Sequence, residues 1–292
     1  MTLNMKDYFE IRTPRPIKLA EIPTQLKPRY KSDKEYKNLL DENHGRIEEF
    51  QTLLYANKTR AMLIIFQGMD TAGKDGAIKH VMSGVNPQGC AVFSFKTPTT
   101  YELDHDFLWR SDRVLPAHGQ IGIFNRSYYE ETLITKVHPK LLLNEKVPGC
   151  KNPGEEFWTF RYHDIVNHEK YLHRQGYEII KIFIHISKQE QKKRLLQRFQ
   201  DPKKLWKISE GDIHERGFWK EYQKAYEECI GRTNSKSSPW YIVPGDDKDS
   251  ARLSISQILV DRFKTMDLCY PKLKPDQKKR LKKLQILLKR KS

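Results

Sequence analysis

The stretch from Gly68 to Gly76 carries the residue types that hold phosphate groups. It reads Gly-Met-Asp-Thr-Ala-Gly-Lys-Asp-Gly, directly after an apolar run and before a helical pattern. Glycines let successive backbone N–H groups turn toward phosphate oxygens, and the start of a helix adds the positive end of its dipole. Lys74 supplies a mobile positive charge for a transferred phosphoryl group. The predicted phosphate-binding residues of this loop are Gly68, Ala72, Gly73, Lys74, Asp75 and Gly76.

The same loop departs from the usual phosphate-loop pattern in a way that indicates a metal ion. The usual pattern follows the lysine with Ser or Thr, whose hydroxyl binds Mg²⁺. Here Asp75 takes that position, and Asp70 lies inside the loop. Carboxylates beside a phosphate repel it unless a cation lies between them, so we predict Mg²⁺ here, with Asp70 as a ligand. For Asp75 the alternative is simpler, because an acid in the first turn of a helix is favoured by the dipole.

A second set of polar residues follows another apolar run. Asn125, Arg126 and Glu130 come directly after the run that ends at Phe124. In an α/β sheet, side chains at the carboxyl end of a neighbouring strand face the same cleft. Arg126 suits phosphate, because a guanidinium binds it through two parallel hydrogen bonds. Glu130 is predicted to reach the metal or to position the acceptor.

A basic segment later in the chain has the character of a lid. Between Lys188 and Lys207 there are eight Lys and Arg residues, and Arg194 and Arg198 lie four apart, on one face of a predicted helix. Arginines in such a segment suit a lid that closes over transferring phosphates. We place this lid at about residues 188–215. A solvated helix without a ligand is the alternative.

Apolar runs that alternate with helical patterns predict an α/β fold. The predicted strands are Ala61–Gln67, Cys90–Phe95, Gln120–Phe124, Tyr177–Ile186 and Trp240–Val243. The predicted helices are Asp33–Asn57, Asp75–Ser83, Tyr128–Val137, Glu155–Gln175 and Lys188–Gln200. Buried strands separated by helices indicate a five-stranded parallel sheet covered on both faces, which is a three-layer α/β/α architecture.

The domain organisation follows from composition along the chain. Residues 1–33 are rich in Pro, Lys and Arg and are predicted to form an extended N-terminal arm. Residues 34–270 form one α/β domain, which includes the lid. Residues 271–292 hold ten Lys and Arg and a single acid, Asp276, and are predicted to form a basic helical tail with an apolar stripe at Leu281, Leu284 and Leu288.

Charge and composition limit the classes of partner. The 292 residues include 53 Lys and Arg against 37 Asp and Glu, a net charge of +16. Such an excess attracts polyanions, and DNA, RNA, anionic lipid and inorganic polyphosphate all fit it. No stretch approaches the ~18 apolar residues of a membrane span, and no secretory signal is evident. The four cysteines form no CxxC pair, which excludes a zinc ribbon and fits a cytoplasmic protein.

Five segments together resemble the polyphosphate kinase 2 family. They read GMDTAGKDGAIKHVMSGVNPQG, SFKTPTTYELDHDFLWR, GIFNRSYYEE, WKISEGDIHER and WKEYQKAYEE, and the match extends in consistent order over about residues 35 to 265. The resemblance implies a P-loop NTPase-like fold, similar to nucleoside-monophosphate kinases, with a helical lid. It also implies Mg²⁺-dependent transfer of phosphoryl groups between inorganic polyphosphate and nucleotides, with Mn²⁺ as a substitute metal.

The resemblance assigns roles to individual residues. It gives Asp70 and Glu130 to the metal, and it gives phosphate to Lys74, Arg126, Arg194 and Arg198. The resulting catalytic set is Asp70, Lys74, Arg126 and Glu130. Within the implied acceptor region, from Lys96 to Arg110, the nucleotide-binding candidates are Lys96, Asp106 and Arg110.

The resemblance also narrows the acceptor. The pairing of Asn125 with Glu130 is similar to the subgroup that phosphorylates both AMP and ADP, and a single phosphate loop excludes the fused double-domain subgroup. The expected partners are therefore polyphosphate and adenine or guanine nucleotides, with no nucleic acid and no membrane. We also expect a homo-oligomer, either a dimer or a tetramer.

Two other functions remain open at this point. An ATP-dependent nucleotide kinase of the thymidylate or adenylate type is expected to carry Ser or Thr after Lys74, so Asp75 argues against it. A basic nucleic-acid-binding protein with a vestigial phosphate loop is favoured by the Lys-rich tail. No stacking-aromatic motif or helix-turn-helix pattern accompanies that charge, which argues against the second alternative.

Overall fold

Six strands form one mixed sheet in the computed structural model of the chain, which describes residues 8–11 and 13–290. The strands are β1 Phe9–Ile11, β2 Ala61–Gln67, β3 Cys90–Ser94, β4 Ile121–Asn125, β5 Tyr177–His185 and β6 Trp240–Pro244. Their order across the sheet is β1-β6-β5-β2-β4-β3. Strands β2 to β6 pair in parallel, and β1 pairs with β6 in the antiparallel sense.

The expectation of a five-stranded, purely parallel sheet is therefore wrong at one edge. All five predicted strands are present, and each end agrees to within one residue. The sixth strand, β1, comes from the segment predicted as an extended arm. Ile11 pairs with Trp240 and is buried, and the Tyr241 hydroxyl donates to Glu10 at 2.9 Å. A three-residue edge strand depends on its partner, so the local pattern does not reveal it.

Eleven α-helices connect or extend these strands within the described residues. They are α1 Asp33–Asn57, α2 Lys74–Val81, α3 Thr100–Leu103, α4 Trp109–Asp112, α5 Glu130–Val137, α6 Glu155–Arg174, α7 Lys188–Gln200, α8 Glu210–Gly217, α9 Trp219–Arg232, α10 Lys248–Lys264 and α11 Pro275–Arg290. Short 3₁₀ turns lie at Leu19–Glu21, Pro87–Gly89, Pro139–Asn144 and Pro202–Lys207. The five helices predicted inside the domain are α1, α2, α5, α6 and α7, and their ends agree to within two residues.

The sheet carries a layer of helices on each face. Glu178 of β5 forms an ion pair with Arg262 of α10, whereas Lys181, three residues later, forms one with Glu169 of α6. Side chains an odd number of residues apart on a strand point to opposite faces, so α6 and α10 lie on opposite sides of the sheet. Helices α1 and α2 pack with α10, and α5 packs with both α6 and α9.

The strand pairing brings two loops together. Strand β2 is buried along its whole length, and it lies between β5 and β4. Phe66 near the end of β2 is in register with Asn125 at the end of β4. The glycine-containing loop after β2 and the polar segment after β4 therefore leave the same edge of the sheet side by side, as expected at the carboxyl ends of parallel strands.

The predicted basic tail contains α11. The side chains described along this helix are exposed, including the leucines at 281, 284 and 288. In the described part of the chain, no helix is both long enough and apolar enough to span a membrane.

Gly122 in β4 offers a test of the packing at the centre of the fold. A Cβ atom there would lie 2.7 Å from Pro116 Cδ, which is closer than van der Waals contact. Overpacking of this kind costs about 1–3 kcal/mol, so we expect Gly122→Ala to lower the free energy of unfolding by that amount in urea titrations. The control is Gly45→Ala on α1, where a Cβ meets nothing within 4 Å. Helix propensity should raise its stability by about 0.5–1 kcal/mol. Equal stabilities would contradict this account of the packing.

Candidate functional site

The loop after β2 takes a backbone path that requires glycine. Gly68 and Gly73 have φ angles of +154° and +101°, and Thr71 between them has a φ of +64°. A Cβ on Gly68 would lie 2.8 Å from the carbonyl oxygen of Ile184. Gly73 then precedes the first residue of α2, and its carbonyl accepts from Ala77 N–H at 2.8 Å. The loop therefore ends at a helix N-terminus, as an anion-binding loop does.

Lys74 is the central charge of this loop. Its side chain is buried, and Nζ donates to the carbonyl oxygens of Gly68 at 2.7 Å and Met69 at 3.3 Å. Burial lowers the pKa of Lys74 to about 8, and the positive charge of Arg126 acts in the same direction. The negative charges of Asp70, Glu130 and Asp75 raise this pKa and so partly offset the effects of burial and of Arg126. The ammonium is thus held inside the loop and balanced between desolvation and neighbouring carboxylates.

Arg126 joins the two loops. Its Nη2 lies 2.7 Å from Asp70 Oδ1, and its backbone N–H donates to the carbonyl of Phe66 at 3.0 Å. Burial lowers the pKa of Arg126, but Glu130 and then Asp70 outweigh burial, so the net shift is upward. The negative charge of Glu130 also raises the pKa of Lys74. The structure therefore gathers the predicted catalytic residues into one cluster, and their catalytic roles stay predictions.

Asp75, which stands where Ser or Thr is usual, has a structural partner. The Asn125 side-chain amide donates to Asp75 Oδ1 at 2.7 Å, and the same amide lies 3.5 Å from Ser94 Oγ. Asp75 thus links the start of α2 to the end of β4. This contact gives Asp75 a structural role that does not require a metal, and its predicted contact with phosphate stays a prediction.

Arg194 contacts protein groups with all of its donors. Its Nη1 donates to the carbonyls of Thr71 and Ala72, its Nη2 to the carbonyls that follow β6 at residues 245 and 246, and its Nε to Glu190. A guanidinium has five N–H groups, and these contacts use every one. These contacts support a structural role for Arg194, which fixes the backbone of the glycine loop at Thr71 and Ala72. Its predicted contact with phosphate stays a prediction.

Arg198, one turn further along α7, is more accessible. Its Nη1 donates to the carbonyl of Lys207 and to Asp212 Oδ2, both at 3.1 Å. It borders a cavity of about 660 Å³ that the glycine loop also lines. The basic side chains of this cavity are Lys74, Lys96, Arg126, Arg194, Arg198, Lys204, Lys207, Lys248 and Arg252, and its acidic side chains are Asp70, Asp75 and Asp212.

A second cavity, of about 720 Å³, meets the first at Phe95, Lys96 and Arg126. One part of its wall is apolar, with Leu103, Ile134, Val137 and Leu141. The polar part includes Glu130, His138 and Glu215, and His138 Nε2 lies 2.9 Å from Glu215 Oε2. Neither His138 nor Glu215 was predicted from the sequence as a site residue. Their spacing of 77 residues carries no signal, because only folding brings α8 to the end of α5.

The three predicted nucleotide-binding residues differ in position. Lys96 lines both cavities. Arg110 fixes the backbone of Lys96, because its Nη1 donates to the Lys96 carbonyl at 2.8 Å. Its Nη2 donates to Glu131 Oε1 at 3.1 Å. Asp106 lies in a small neighbouring pocket, where its carboxylate accepts from Leu108 N–H at 2.9 Å. The structure therefore brings Lys96 and Arg110 to the second cavity and leaves Asp106 beside it.

Two carboxylates are available for a metal ion at the junction of the loops. Among the residues that the structure describes, no group of three or more His, Cys, Asp or Glu side chains is placed to hold a metal. Asp70 lines the first cavity and Glu130 lines the second, and Arg126, which lines both, lies 2.7 Å from Asp70. Such a pair fits Mg²⁺, which is usually held by one or two carboxylates, water and substrate phosphates.

The fold and the site together define an α/β protein with a glycine loop at the edge of a strongly basic cavity, which is the arrangement of a phosphotransferase. The family model of polyphosphate kinase 2 matches residues 30–270. The chain belongs to this family, and the resemblance noted in the sequence is confirmed.

Individual relatives agree with this membership. The chain is 49% identical over 273 residues to an ADP-polyphosphate phosphotransferase of Rhodopseudomonas palustris, with 94% of each chain covered. It is 40% identical over 226 residues to an AMP/ADP-polyphosphate phosphotransferase of Meiothermus ruber, covering 77% of this chain and 80% of that one. A crystal structure of polyphosphate kinase 2 from Arthrobacter aurescens superposes with a TM-score of 0.81 at 37% identity, with 90% of each chain covered.

Substitution in the loop tests the roles of Lys74 and Asp70. We expect Lys74→Ala and Asp70→Asn each to lower kcat by at least ~10²-fold, because Lys74 is placed to offset the negative charge of the transition state and Asp70 would hold the metal ion that does the same. The control is Lys79→Ala, which removes an exposed lysine from the same helix. Melting temperatures should show that all three variants fold. Near wild-type turnover in a folded Lys74→Ala protein would contradict this view of the loop.

The lowered pKa of Lys74 predicts a pH dependence. Below a pH of about 8 the lysine is charged, and above it the free enzyme loses that charge. We therefore expect kcat/KM for a phosphate-rich substrate to fall roughly tenfold per pH unit above this value, as a single ionisation requires. Initial rates between pH 6.5 and 10 measure the profile. An increase of kcat/KM across this alkaline range would contradict it.

Proposed function

We propose that this chain transfers phosphoryl groups between inorganic polyphosphate and nucleoside mono- and diphosphates, with Mg²⁺ as the metal and Mn²⁺ as a substitute. The observation that carries this proposal is the meeting of two different cavities at Arg126. One cavity is strongly basic, and the other has an apolar wall. Family membership supports the proposal, because relatives in several bacteria carry the names of polyphosphate phosphotransferases.

The basic cavity suits the donor. Nine basic and three acidic side chains line it, and the basic ones continue from the glycine loop to Lys204, Lys207 and Arg252. A polyanion that follows such a surface releases its condensed counterions, which favours binding. A nucleoside triphosphate has too few phosphates to occupy the whole surface. The charge therefore fits a long donor better than it fits ATP.

The second cavity suits the acceptor nucleotide. Its apolar wall, at Leu103, Ile134 and Val137, can cover a nucleoside, while Arg126 and Glu130 stand where the cavities meet. An acceptor bound this way places its terminal phosphate next to the glycine loop. The residue pair Asn125 and Glu130 supports AMP and ADP as acceptors, and adenine and guanine nucleotides are the proposed substrates.

In phosphoryl transfer the protein mainly positions the two substrates and offsets their negative charge. The attacking group is a phosphate oxygen of the acceptor, which is already ionised near neutral pH because its second pKa is about 6, so no general base is needed. Lys74 and Arg126 offset the negative charge that develops on the transferred group. Asp70 and Glu130 would hold the metal ion, which when bound neutralises phosphate charge and reduces the repulsion between donor and acceptor.

The predicted lid, residues 188–215, contributes side chains to both cavities. Arg198 and Lys207 border the donor cavity, whereas Glu215 of α8 reaches the acceptor cavity and contacts His138. The Tyr222 hydroxyl also donates to Glu215 Oε2, at 2.6 Å. We propose that residues 188–215 cover both substrates and exclude water from the transferred phosphoryl group. A homo-oligomeric state, a cytoplasmic location and the absence of a nucleic-acid partner stay predictions.

A coupled luciferase assay tests the proposal. Purified protein is given Mg²⁺, polyphosphate and either ADP or AMP, and ATP is expected from both acceptors. Chelation of the metal with EDTA should abolish the signal, and Lys74→Ala should suppress it. An ATP-dependent kinase would instead consume ATP with AMP and show no response to polyphosphate, and a nucleic-acid-binding protein would show neither activity. Either result would overturn the proposal.

Glu130 allows a test of acceptor selection. Glu130→Gln keeps the shape of the side chain and removes its charge, so a metal should bind more weakly. AMP offers fewer oxygens to that metal than ADP does and should depend more on the carboxylate. We expect kcat/KM to fall about 10²-fold with AMP and only about tenfold with ADP, within the range for removal of one charged group. Glu156→Gln, at an exposed position of α6, is the control. Equal losses would leave Glu130 without a role in selection.

A further inference from the structure

A buried carboxylate contacts the active-site segment, which is residues 126–130 directly after β4. Glu169 of α6 is completely buried, and four groups donate to it. Its Oε1 accepts from the hydroxyls of Tyr128 at 2.9 Å and Tyr129 at 2.6 Å. Its Oε2 accepts from Lys181 Nζ at 2.7 Å and Ser238 Oγ at 2.8 Å. An ionised carboxylate can be buried at acceptable cost only when its lone pairs are satisfied in this way.

The segment that these tyrosines belong to has an unusual backbone. Arg126 has a φ of +64°, a left-handed conformation that a residue with a side chain adopts only when its surroundings hold it there. On one side, its N–H is bound to the carbonyl of Phe66. On the other side, the buried Ser127 Oγ accepts from Gln67 Nε2 at 3.3 Å and from Tyr129 N–H at 3.2 Å. The strained residue is therefore held from both ends.

The charged residues of the site flank the buried tyrosines directly. Arg126 comes two residues before Tyr128, and Glu130 comes directly after Tyr129. We propose that Glu169 is a positioning residue, which fixes Arg126 and Glu130 in the cleft through the hydroxyls of Tyr128 and Tyr129. This inference rests on the roles proposed for Arg126 and Glu130.

The Glu169 carboxylate is itself fixed by Lys181, which bonds to several other groups. Lys181 of β5, also completely buried, donates to Glu169, to the Tyr129 hydroxyl at 3.1 Å and to the carbonyl of Thr233 at 2.6 Å. The carboxylate is thus tied to the central sheet and to the end of α9. In a medium of low polarity each of these bonds has a narrow geometry, so a small shift of any member would leave a buried polar group unpaired. The network therefore transmits the position of the sheet to the active-site segment.

Removal of the two hydroxyls tests this link most directly. Tyr128→Phe/Tyr129→Phe detaches the segment from Glu169 and leaves the ion pair with Lys181 in place. A shift of about 1 Å in catalytic groups costs up to ~10²-fold in rate, so we expect kcat to fall by about 10- to 100-fold. KM for polyphosphate should change by less than about threefold, because the glycine loop and Lys74 bind it separately. The single variants serve if the double variant does not fold.

The matched control is Tyr162→Phe. Tyr162 lies on α6 and is equally buried, and its hydroxyl has no hydrogen-bond partner in the described chain. Loss of this hydroxyl should leave kcat unchanged. The proposal is wrong if the Tyr128 and Tyr129 variants keep kcat within about twofold of this control at 25 °C, well below their melting temperatures.

A second pair of variants separates positioning from stability. Glu169→Gln and Glu178→Gln each weaken a buried ion pair of β5, on opposite faces of the sheet. Both should lower the melting temperature, but only Glu169→Gln should also lower kcat. Equal kcat values in the two folded proteins would reduce Glu169 to a structural residue and overturn the inference.

Arg126→Ala distinguishes this failure from a failure of the proposed site. A normal kcat in Arg126→Ala would overturn the role of Arg126 and the positioning inference together. A low kcat in Arg126→Ala with normal kcat in the tyrosine variants would overturn the positioning inference alone.

Discussion

Parallel pairing of β2 with β4 is the constraint on which the site depends. Because Phe66 is in register with Asn125, the two chain segments that follow these strands leave the sheet next to each other. The Arg126 N–H bond to Phe66 then fixes the second segment against the first, and Asp70 pairs with the Arg126 guanidinium at 2.7 Å. Side chains predicted to bind phosphate thereby share one cleft, although Asp70 and Arg126 are 56 residues apart in the chain.

This arrangement places a buried cation among carboxylates. Lys74 is desolvated and its pKa is lowered, yet nearby acids, first among them Asp70, keep the charged form accessible. Arg194 donates two hydrogen bonds to the loop, at the carbonyls of Thr71 and Ala72, and two more to the carbonyls that follow β6, and Asp75 accepts from Asn125. The loop is therefore supported from α7, β4 and β6 before any phosphate binds. Prior organisation of this kind lowers the cost of rearrangement during phosphoryl transfer.

Two residues identified from sequence as ligand contacts have internal partners in the structure. Arg110 was predicted to contact the nucleotide, and its guanidinium is bonded to Glu131 and to the Lys96 carbonyl. Arg194 was predicted to contact phosphate, and its donors are used by four backbone carbonyls and by the Glu190 carboxylate. The type of residue and its place in a motif indicate that a charge belongs near the site. They do not indicate whether it faces the substrate or supports the groups that do.

The five parallel strands and the helices α1, α2, α5, α6 and α7 could be predicted from sequence, because a buried strand is a short apolar run and a one-sided helix has an apolar stripe, which a single segment displays. The glycines at 68 and 73 and the charges at 70, 74, 126 and 130 were also evident, since their chemistry is local. Helix α10 was missed because ten of its residues, which lie on several sides, are buried, so no single apolar stripe marks it. Strand β1 and the contact of His138 with Glu215 were decided by tertiary structure alone. Both depend on partners more than 70 residues away, and a local pattern carries no record of a distant partner.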